Sequence, residues 1–475
     1  MKPSELKKTG LDAFFEPGSI AIIGSFREGG FGGYVVVKSL MEAGYEGKIF
    51  PVNPGYREVL QLKVYPSLSD IGEQVDMAIV MINARNVVGI IEECGRNRIC
   101  SVVVVADGFA EKDEQGARLQ TELVEAARRW GVRVIGPNTA GIINSANGLN
   151  PCPYDAGYYR VKKGPVTICS QTGMINPQAY AYPELGFGIN KICDLGNKCD
   201  VDECDMLEYL ENDDSTGVIS IYLESISDGK RFLEVARRVS LKKPVLALKV
   251  GTTSAGAQAS ASHTGSLAVD DAVFGAACSQ AGLLRIDKFS ELFELPKVFA
   301  CQPLPSGNRV GVVSFTGGVG VLAVDEGARY GLVLADFSGV SREIFKGISE
   351  DLGKNPVDLG PMIPTVKDFS AFYGRILKAV LADDNVDSLF NVVWADALGK
   401  NTNAYLEAYE EMKSYARKPV VTWVYGPNSS NISNIAKELE DLGFPVFREP
   451  ETCIKAIGML TTYAKRKRSR SRVQG

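Results

Sequence analysis

Short apolar runs that end in small-residue turns and lead into helical periodicity recur along this chain, and that recurrence restricts its fold more than any other feature. SIAIIG (Ser19 to Gly24) is followed by SFREGGFGGY and then VVVKSLMEAGY. VTICSQTG (Val166 to Gly173), VISIYLES (Val218 to Ser225), PVLALKV (Pro244 to Val250) and VGVVSFTGGVG (Val310 to Gly320) repeat the scheme. An apolar run without polar alternation reads as a strand buried on both faces, and strands separated by helices build a parallel sheet. Further runs at Lys48–Pro54, Met77–Ile82, Ser101–Ala106, Val132–Ile135, Leu389–Trp394, Pro419–Gly426 and Pro445–Pro450 extend the alternation. The class is α/β.

A chain of 475 residues supports about three domains of ~150 residues each. CQPLPSGN (Cys301 to Asn308) reads as a linker between the second and third. KNPVDLG (Lys354 to Gly360) reads as a loop whose Pro and Asp suit a turn. A net charge of −5 argues against nucleic acid as the main partner. The basic run from Lys465 to Arg472 is expected to be a solvated, disordered terminus, with contact to an acidic partner as the alternative. No apolar run approaches membrane-span length, and MKPSELKK does not read as a signal peptide. The ten cysteines include no CxxC pair; Cys193, Cys199 and Cys204 cluster most closely, and one histidine leaves little for a mixed metal site. They are expected to be reduced thiols of a cytoplasmic protein, with no metal site.

The only histidine, His263, lies in GTTSAGAQASASHTGSL (Gly251 to Leu267), directly after the run Pro244–Val250. The sequence predicts strand, small-residue loop bearing the imidazole, then a helix from about Leu267 with Asp270 and Asp271 in its first turn. The unsatisfied N–H groups of a helix start favour an anion, and an imidazole beside one suits a phosphoryl carrier. A loop histidine without chemistry is the alternative. Glu224 ends another apolar run, where ligands of open α/β sheets bind. A solvated loop acid is the other reading of it. The glycines at 24, 29, 30, 32 and 33 allow close backbone approach to a phosphate, but they fit G-x-G-x-x-G poorly. Asn53 stands where an NAD site would offer an acid, which counts against a dehydrogenase.

Taken in order, IAIIGSFREGG…GGY, PVNP, ADGFAEK, GPNTAGI, SQTG, LGNKCDVDE, YLES with DGKRF, SHTGSLA, SFTGGVGVLAVDE and KNPVDL resemble the α part of the NDP-forming (ADP-forming) acyl-CoA synthetases, relatives of succinyl-CoA synthetase. The resemblance covers about Leu11 to Tyr463. It implies a CoA-binding Rossmann domain (1–140), a flavodoxin-like domain with a phosphohistidine loop (141–303) and a second flavodoxin-like domain (304–466), both doubly wound parallel sheets, before the basic tail (467–475). The implied reaction converts acyl-CoA, phosphate and ADP into carboxylic acid, CoA and ATP, with Mg²⁺. By resemblance His263 carries the phosphoryl group and Glu224 supports it. Gly24, Ser25, Arg27, Gly30, Gly33, Val52, Asn53, Pro54, Asn83 and Asn138 would bind CoA. Ser170, Gln171, Thr172, Gly173, Ser262, Thr264 and Gly265 would lie on the phosphate side.

This chain departs from the family in places. Where the first turn commonly reads G-A-S-R-x-P-G-K-I-G, Phe26 replaces the Ser and Phe31 the Lys, and Gly55 stands where Lys is frequent. Phe315 stands where Asn is usual. No segment is long enough for an ATP-grasp domain, so a separate ATP-grasp β subunit binding ATP/ADP and Mg²⁺, in an α2β2 heterotetramer, is expected. The runner-up is a CoA-binding regulatory or acyl-transfer protein of the same fold; a nicotinamide oxidoreductase is the third reading.

Overall fold

The computed structural model describes residues 10–154, 161–176, 179, 185–264, 270–349 and 352–471, without the side chains of 260–264, 365, 415, 470 and 471. Three parallel-rich sheets follow one another along the chain. The first contains β1 (Ser19–Gly24), β2 (Lys48–Val52), β3 (Met77–Met81), β4 (Ser101–Val104) and β5 (Arg133–Ile135) in the order β2-β1-β3-β4-β5. The second contains β6 (Ile142–Asn144), β7 (Lys163–Ser170), β8 (Ile189–Asp194), β9 (Val218–Leu223), β10 (Val245–Lys249) and β11 (Leu284–Ile286) in the order β11-β10-β9-β7-β8-β6, with β6 antiparallel. The third contains β12 (Arg309–Ser314), β13 (Val333–Leu334), β14 (Val357–Asp358), β15 (Ser388–Trp394), β16 (Val420–Tyr425) and β17 (Val446–Phe447). Its order is β13-β12-β15-β16-β17, and β14 pairs with β12. The backbone divides into two compact units, one to Leu292 holding the first two sheets and one from Phe293 holding the third.

The continuous apolar runs are explained by burial on both faces. In β1, Ile20 and Ile22 join one core with Val36 and Leu40, while Ala21 and Ile23 join another with Val80, Val87 and Ile91. Each such large side chain contributes about 1.5–3 kcal/mol on burial, so apolar residues dominate both faces. Each sheet has a five-strand core in which the first strand sits between the second and the third. The chain therefore reverses direction across the sheet between β1 and β3, between β7 and β9, and between β12 and β15. Loops diverge at such a point and leave a crevice at the carboxyl ends of the strands.

Four expectations need correction. The segment before and at His263 is helical, Ser254–Thr264, rather than a loop. Its Ala-rich run contains no strong helix breaker beyond Gly256, and Thr253 accepts the N–H of Gly256 at 3.0 Å to start the first turn. The following helix is Asp271–Ala281 with Asp270 as its cap, so it begins after the predicted Leu267. The basic terminus is not a free tail from 467: the last helix runs Pro450–Ser471, and Arg468 donates to the Pro305 carbonyl at 2.6 Å. Basic side chains suit a helix C-terminus because the last carbonyls are unsatisfied. The predicted loop Lys354–Gly360 includes strand β14, because the Asn355 side chain substitutes for ladder bonds. It accepts from Val312 N and donates to the Val310 and Ala335 carbonyls. Among the described residues no helix is long and apolar enough to cross a membrane.

Candidate active site

The carboxyl edge of the first sheet gathers the predicted CoA residues. Gly24 ends β1 opposite Met81, and a Cβ there would lie 3.2 Å from the Met81 carbonyl. Asn53, just after β2, donates to the Gly24 carbonyl at 2.7 Å and accepts from Gly55 N at 2.7 Å, which ties the first two strand-end loops together. Val52 is buried beneath this junction, while Pro54 is exposed. The Ser25 hydroxyl meets that of Tyr56 at 3.1 Å, and Arg27 and Gly30 are exposed on the same turn. Gly32, at φ +120°, precedes helix Gly33–Ala43, whose start has no side-chain cap. A Cβ on Gly33 would come within 2.9 Å of the Ser25 carbonyl, so only glycine allows the turn to lie this close on the helix. With no side-chain cap, the N–H groups of the first turn can donate to an anionic group, so the cradle fits a phosphate. Phe26 fills the turn from below, edge-on to Tyr56. Asn83 caps helix Ala84–Arg96 through Arg85 N, and Asn138, at φ +57°, donates its N–H to the Ala106 carbonyl beyond β4.

In the second sheet the register sets Ser170 between Tyr222 of β9 and Asp194 of β8. The crevice between β7 and β9 is spanned by one side chain. Gln171 accepts from Glu224 N at 2.7 Å and Ser225 N at 3.0 Å, and donates to the Ser225 hydroxyl at 3.2 Å. Glu224 is thereby held at the strand end, 5% exposed, with the Tyr222 hydroxyl donating to it at 3.4 Å. Ser170 is buried and accepts from Thr172 N, and Thr172 caps the short turn Gly173–Ile175. The structure thus brings Ser170, Gln171, Thr172, Gly173 and Glu224 together. Of residues 260–264, which include Ser262, His263 and Thr264, only the backbone course is described; their side chains and Gly265 lie outside the described residues.

Two features escaped the sequence reading. Asp194, 2% exposed, accepts from Ala140 N at 2.6 Å and Gly196 N at 3.2 Å and lies 3.6 Å from where a Cβ of Gly173 would be. It joins three strand-end turns. Its only sequence signal is a carboxylate closing an apolar run, as at Glu224. The second is the ion pair of Lys198 and Glu203 at 2.6 Å, both side chains almost wholly buried. Lys198 also donates to the Ser225 carbonyl at 2.9 Å, and Glu203 accepts from Ser227 N at 2.9 Å, so the pair clamps the segment after Glu224.

Burial pushes the Asp194 carboxyl up to about 6, with the Glu224 charge adding to it and the N–H bonds opposing. The folded chain therefore holds that proton more tightly than the unfolded one, whose ordinary value is 3.8. The stability due to the protonated carboxyl is complete below about 3.8 and is lost as pH rises through about 6. Denaturation midpoints of wild type and Asp194→Asn are expected to diverge across this window, wild type losing ground as pH rises. Parallel curves would contradict the assignment.

Among the described residues, Asp202, Glu203 and Cys204 form one metal-competent group, but Asp202 caps helix Glu203–Glu211 and Glu203 holds Lys198. The crevice of the third sheet is filled by rings: Phe315 packs on Phe369, Tyr373 and Tyr405 at centroid distances of 5.9–6.1 Å.

Residues 18–145 match the CoA binding domain family, and residues 163–299 match the succinyl-CoA ligase like flavodoxin domain family. The chain is 38% identical over 465 residues to acetate–CoA ligase [ADP-forming] II of Archaeoglobus fulgidus, covering 96% of this chain and 67% of that protein. It is 36% identical over 463 residues to the α subunit of acetate–CoA ligase [ADP-forming] I of Pyrococcus furiosus, covering 96% and 98%. Among solved structures, the dinucleotide-forming acetyl-coenzyme A synthetase 1 of Ca. Korarchaeum cryptofilum, in complex with phosphate and ADP, superposes with a TM-score of 0.88. That pair is 30% identical and covers 98% of this chain and 99% of the other. A CoA-binding sheet and a succinyl-CoA-ligase-like sheet, matched in sequence and in three dimensions over nearly their whole extent, place the chain in the ADP-forming acyl-CoA ligases of the succinyl-CoA synthetase superfamily, as a homologue of their α subunits.

Proposed function

We propose that this chain is the α subunit of an ADP-forming acyl-CoA synthetase that works through a phosphohistidine at His263. Phosphate displaces CoA from acyl-CoA to give acyl phosphate and the free thiol. The His263 imidazole then attacks phosphorus and releases the carboxylate, and ADP takes the phosphoryl group to become ATP. The reverse order makes acyl-CoA. ADP and Mg²⁺ would be held by a separate ATP-grasp β subunit, in keeping with the full-length match to an α subunit, and an α2β2 assembly in the cytoplasm completes the reading.

The observation that carries the proposal is the crevice between β7 and β9, where Gln171 fixes Glu224 through two backbone N–H groups at a strand end. A carboxylate accepting from one ring nitrogen fixes the tautomer and leaves the other nitrogen to attack phosphorus. Ser170, Thr172 and Gly173, with Ser262, Thr264 and Gly265, would surround the phosphoryl group. The first-sheet cradle, with Gly24, Ser25, Arg27, Gly30, Gly33, Asn53, Asn83 and Asn138, would hold CoA.

The test is ATP formation from acetyl-CoA, phosphate and ADP with this chain and a candidate ATP-grasp partner, together and apart. Activity is expected only together. Glu224→Gln is expected to lower the rate about 10²- to 10³-fold while leaving CoA affinity unchanged, as for loss of a residue that orients a reacting imidazole. Full activity in that variant would remove Glu224 from the mechanism.

A further inference from the structure

The mechanism leaves one feature unused, a pair of exposed aromatic rings beside the first cradle. Phe31 is 55% exposed and Tyr154 43% exposed, and their ring centroids are 5.1 Å apart. The pair is fixed by backbone: Phe31 and Tyr154 bridge antiparallel, and Gly32 N donates to the Pro153 carbonyl at 3.1 Å. Large rings held side by side in water mark a surface kept for a ligand rather than for the core. Their place in the fold says which part of a ligand they would meet. Phe31 stands two residues before helix Gly33–Ala43, at the phosphate-compatible turn. The segment bearing Tyr154 leads to the other site, since the Pro151 carbonyl lies 3.9 Å from where a Cβ of Gly141 would be, and the neighbouring Ala140 N–H bonds Asp194. Burial first, then the charges of Asp194, Cys152 and Asp107, hold the Tyr154 phenol above its ordinary value.

We propose that Phe31 and Tyr154 form the contact surface for the pantetheine arm of CoA, guiding it from the first-sheet cradle to the crevice holding Gln171 and Glu224. The inference rests on the CoA reading above and assigns the uncharged part of that molecule. CoA has an anionic nucleotide end and an uncharged arm ending in the thiol. N–H groups and Arg27 suit the first, and rings suit the second. The arm must cross from one strand-end crevice to the other for the thiol to react, and the pair joins the turn of the first sheet at Phe31 to the segment Pro151–Tyr154, which borders Gly141 beside the Asp194 strand end. Neither ring carries charge, so its contribution is independent of salt, unlike that of Arg27.

Calorimetric titration of the full chain with CoA and with adenosine 3′,5′-bisphosphate, which lacks the arm, separates the possibilities. Phe31→Ala and Tyr154→Ala are each expected to weaken CoA about tenfold, the effect of losing one well-placed ring contact, and to leave the bisphosphate unchanged. Phe31→Tyr keeps the ring and is expected to hold CoA affinity within about twofold. Equal weakening of both ligands would move the pair to the nucleotide end and overturn the proposal. So would unchanged CoA affinity in the Ala variants, or a loss in Phe31→Tyr as large as in Phe31→Ala. Failure of wild type to bind CoA is a separate result, and it would overturn the CoA reading itself.

Discussion

His263→Ala is expected to abolish phosphoryl transfer, lowering ATP formation by at least about 10⁴-fold, because no other imidazole in the chain can take its place. The measurement is label on this chain after incubation with the ATP-grasp partner, Mg²⁺ and γ-labelled ATP. A phosphohistidine is acid-labile and alkali-stable, so wild type should carry label with that signature and the variant none. Unchanged labelling in His263→Ala would place the phosphoryl group elsewhere. Absence of label from wild type with a demonstrably competent partner would favour a CoA-binding regulatory or acyl-transfer role for the same fold.

The second large effect concerns stability. Glu203→Ala is expected to destabilise the unit that ends at Leu292 by about 3–5 kcal/mol, because it leaves the Lys198 ammonium buried without its carboxylate. Chemical denaturation followed by far-UV circular dichroism gives the loss directly. The partner experiment is the double variant Lys198→Met, Glu203→Leu, which removes both charges. It is expected to recover most of the loss, since the desolvation cost of the pair disappears with it. A single variant as stable as wild type would contradict the buried pairing. The pair has a functional consequence as well. Lys198 holds the Ser225 carbonyl and Glu203 the Ser227 N–H, so loosening it frees the segment that follows Glu224. Stable double variants are therefore expected to retain CoA binding while losing part of their phosphotransfer rate.

The α/β class and the positions of the strands were legible in the sequence because two-sided burial leaves an unmistakable local trace. Every residue of SIAIIG is buried, and its one polar side chain, Ser19, is hydrogen-bonded to the Gln74 carbonyl. Glu224, Ser170 and Gln171 were legible as strand-end residues for the same reason: a polar group closing an apolar run must leave the sheet at its carboxyl edge. What surrounds them was not. The bonds from Gln171 to Glu224 and Ser225 cross 53 and 54 residues of chain, and those from Asp194 to Ala140 likewise cross 54. Strand order and register decide such meetings, and no local pattern encodes them. The helix at Ser254–Thr264 was misjudged because small residues read as a loop until a cap such as Thr253 and the neighbouring strand fix the first turn. Sequence alone thus determined which residues sit at strand ends, since burial on two faces is a property of each run taken singly. Tertiary structure alone decided which of those ends share a crevice, because that depends on the order in which strands from distant parts of the chain pair.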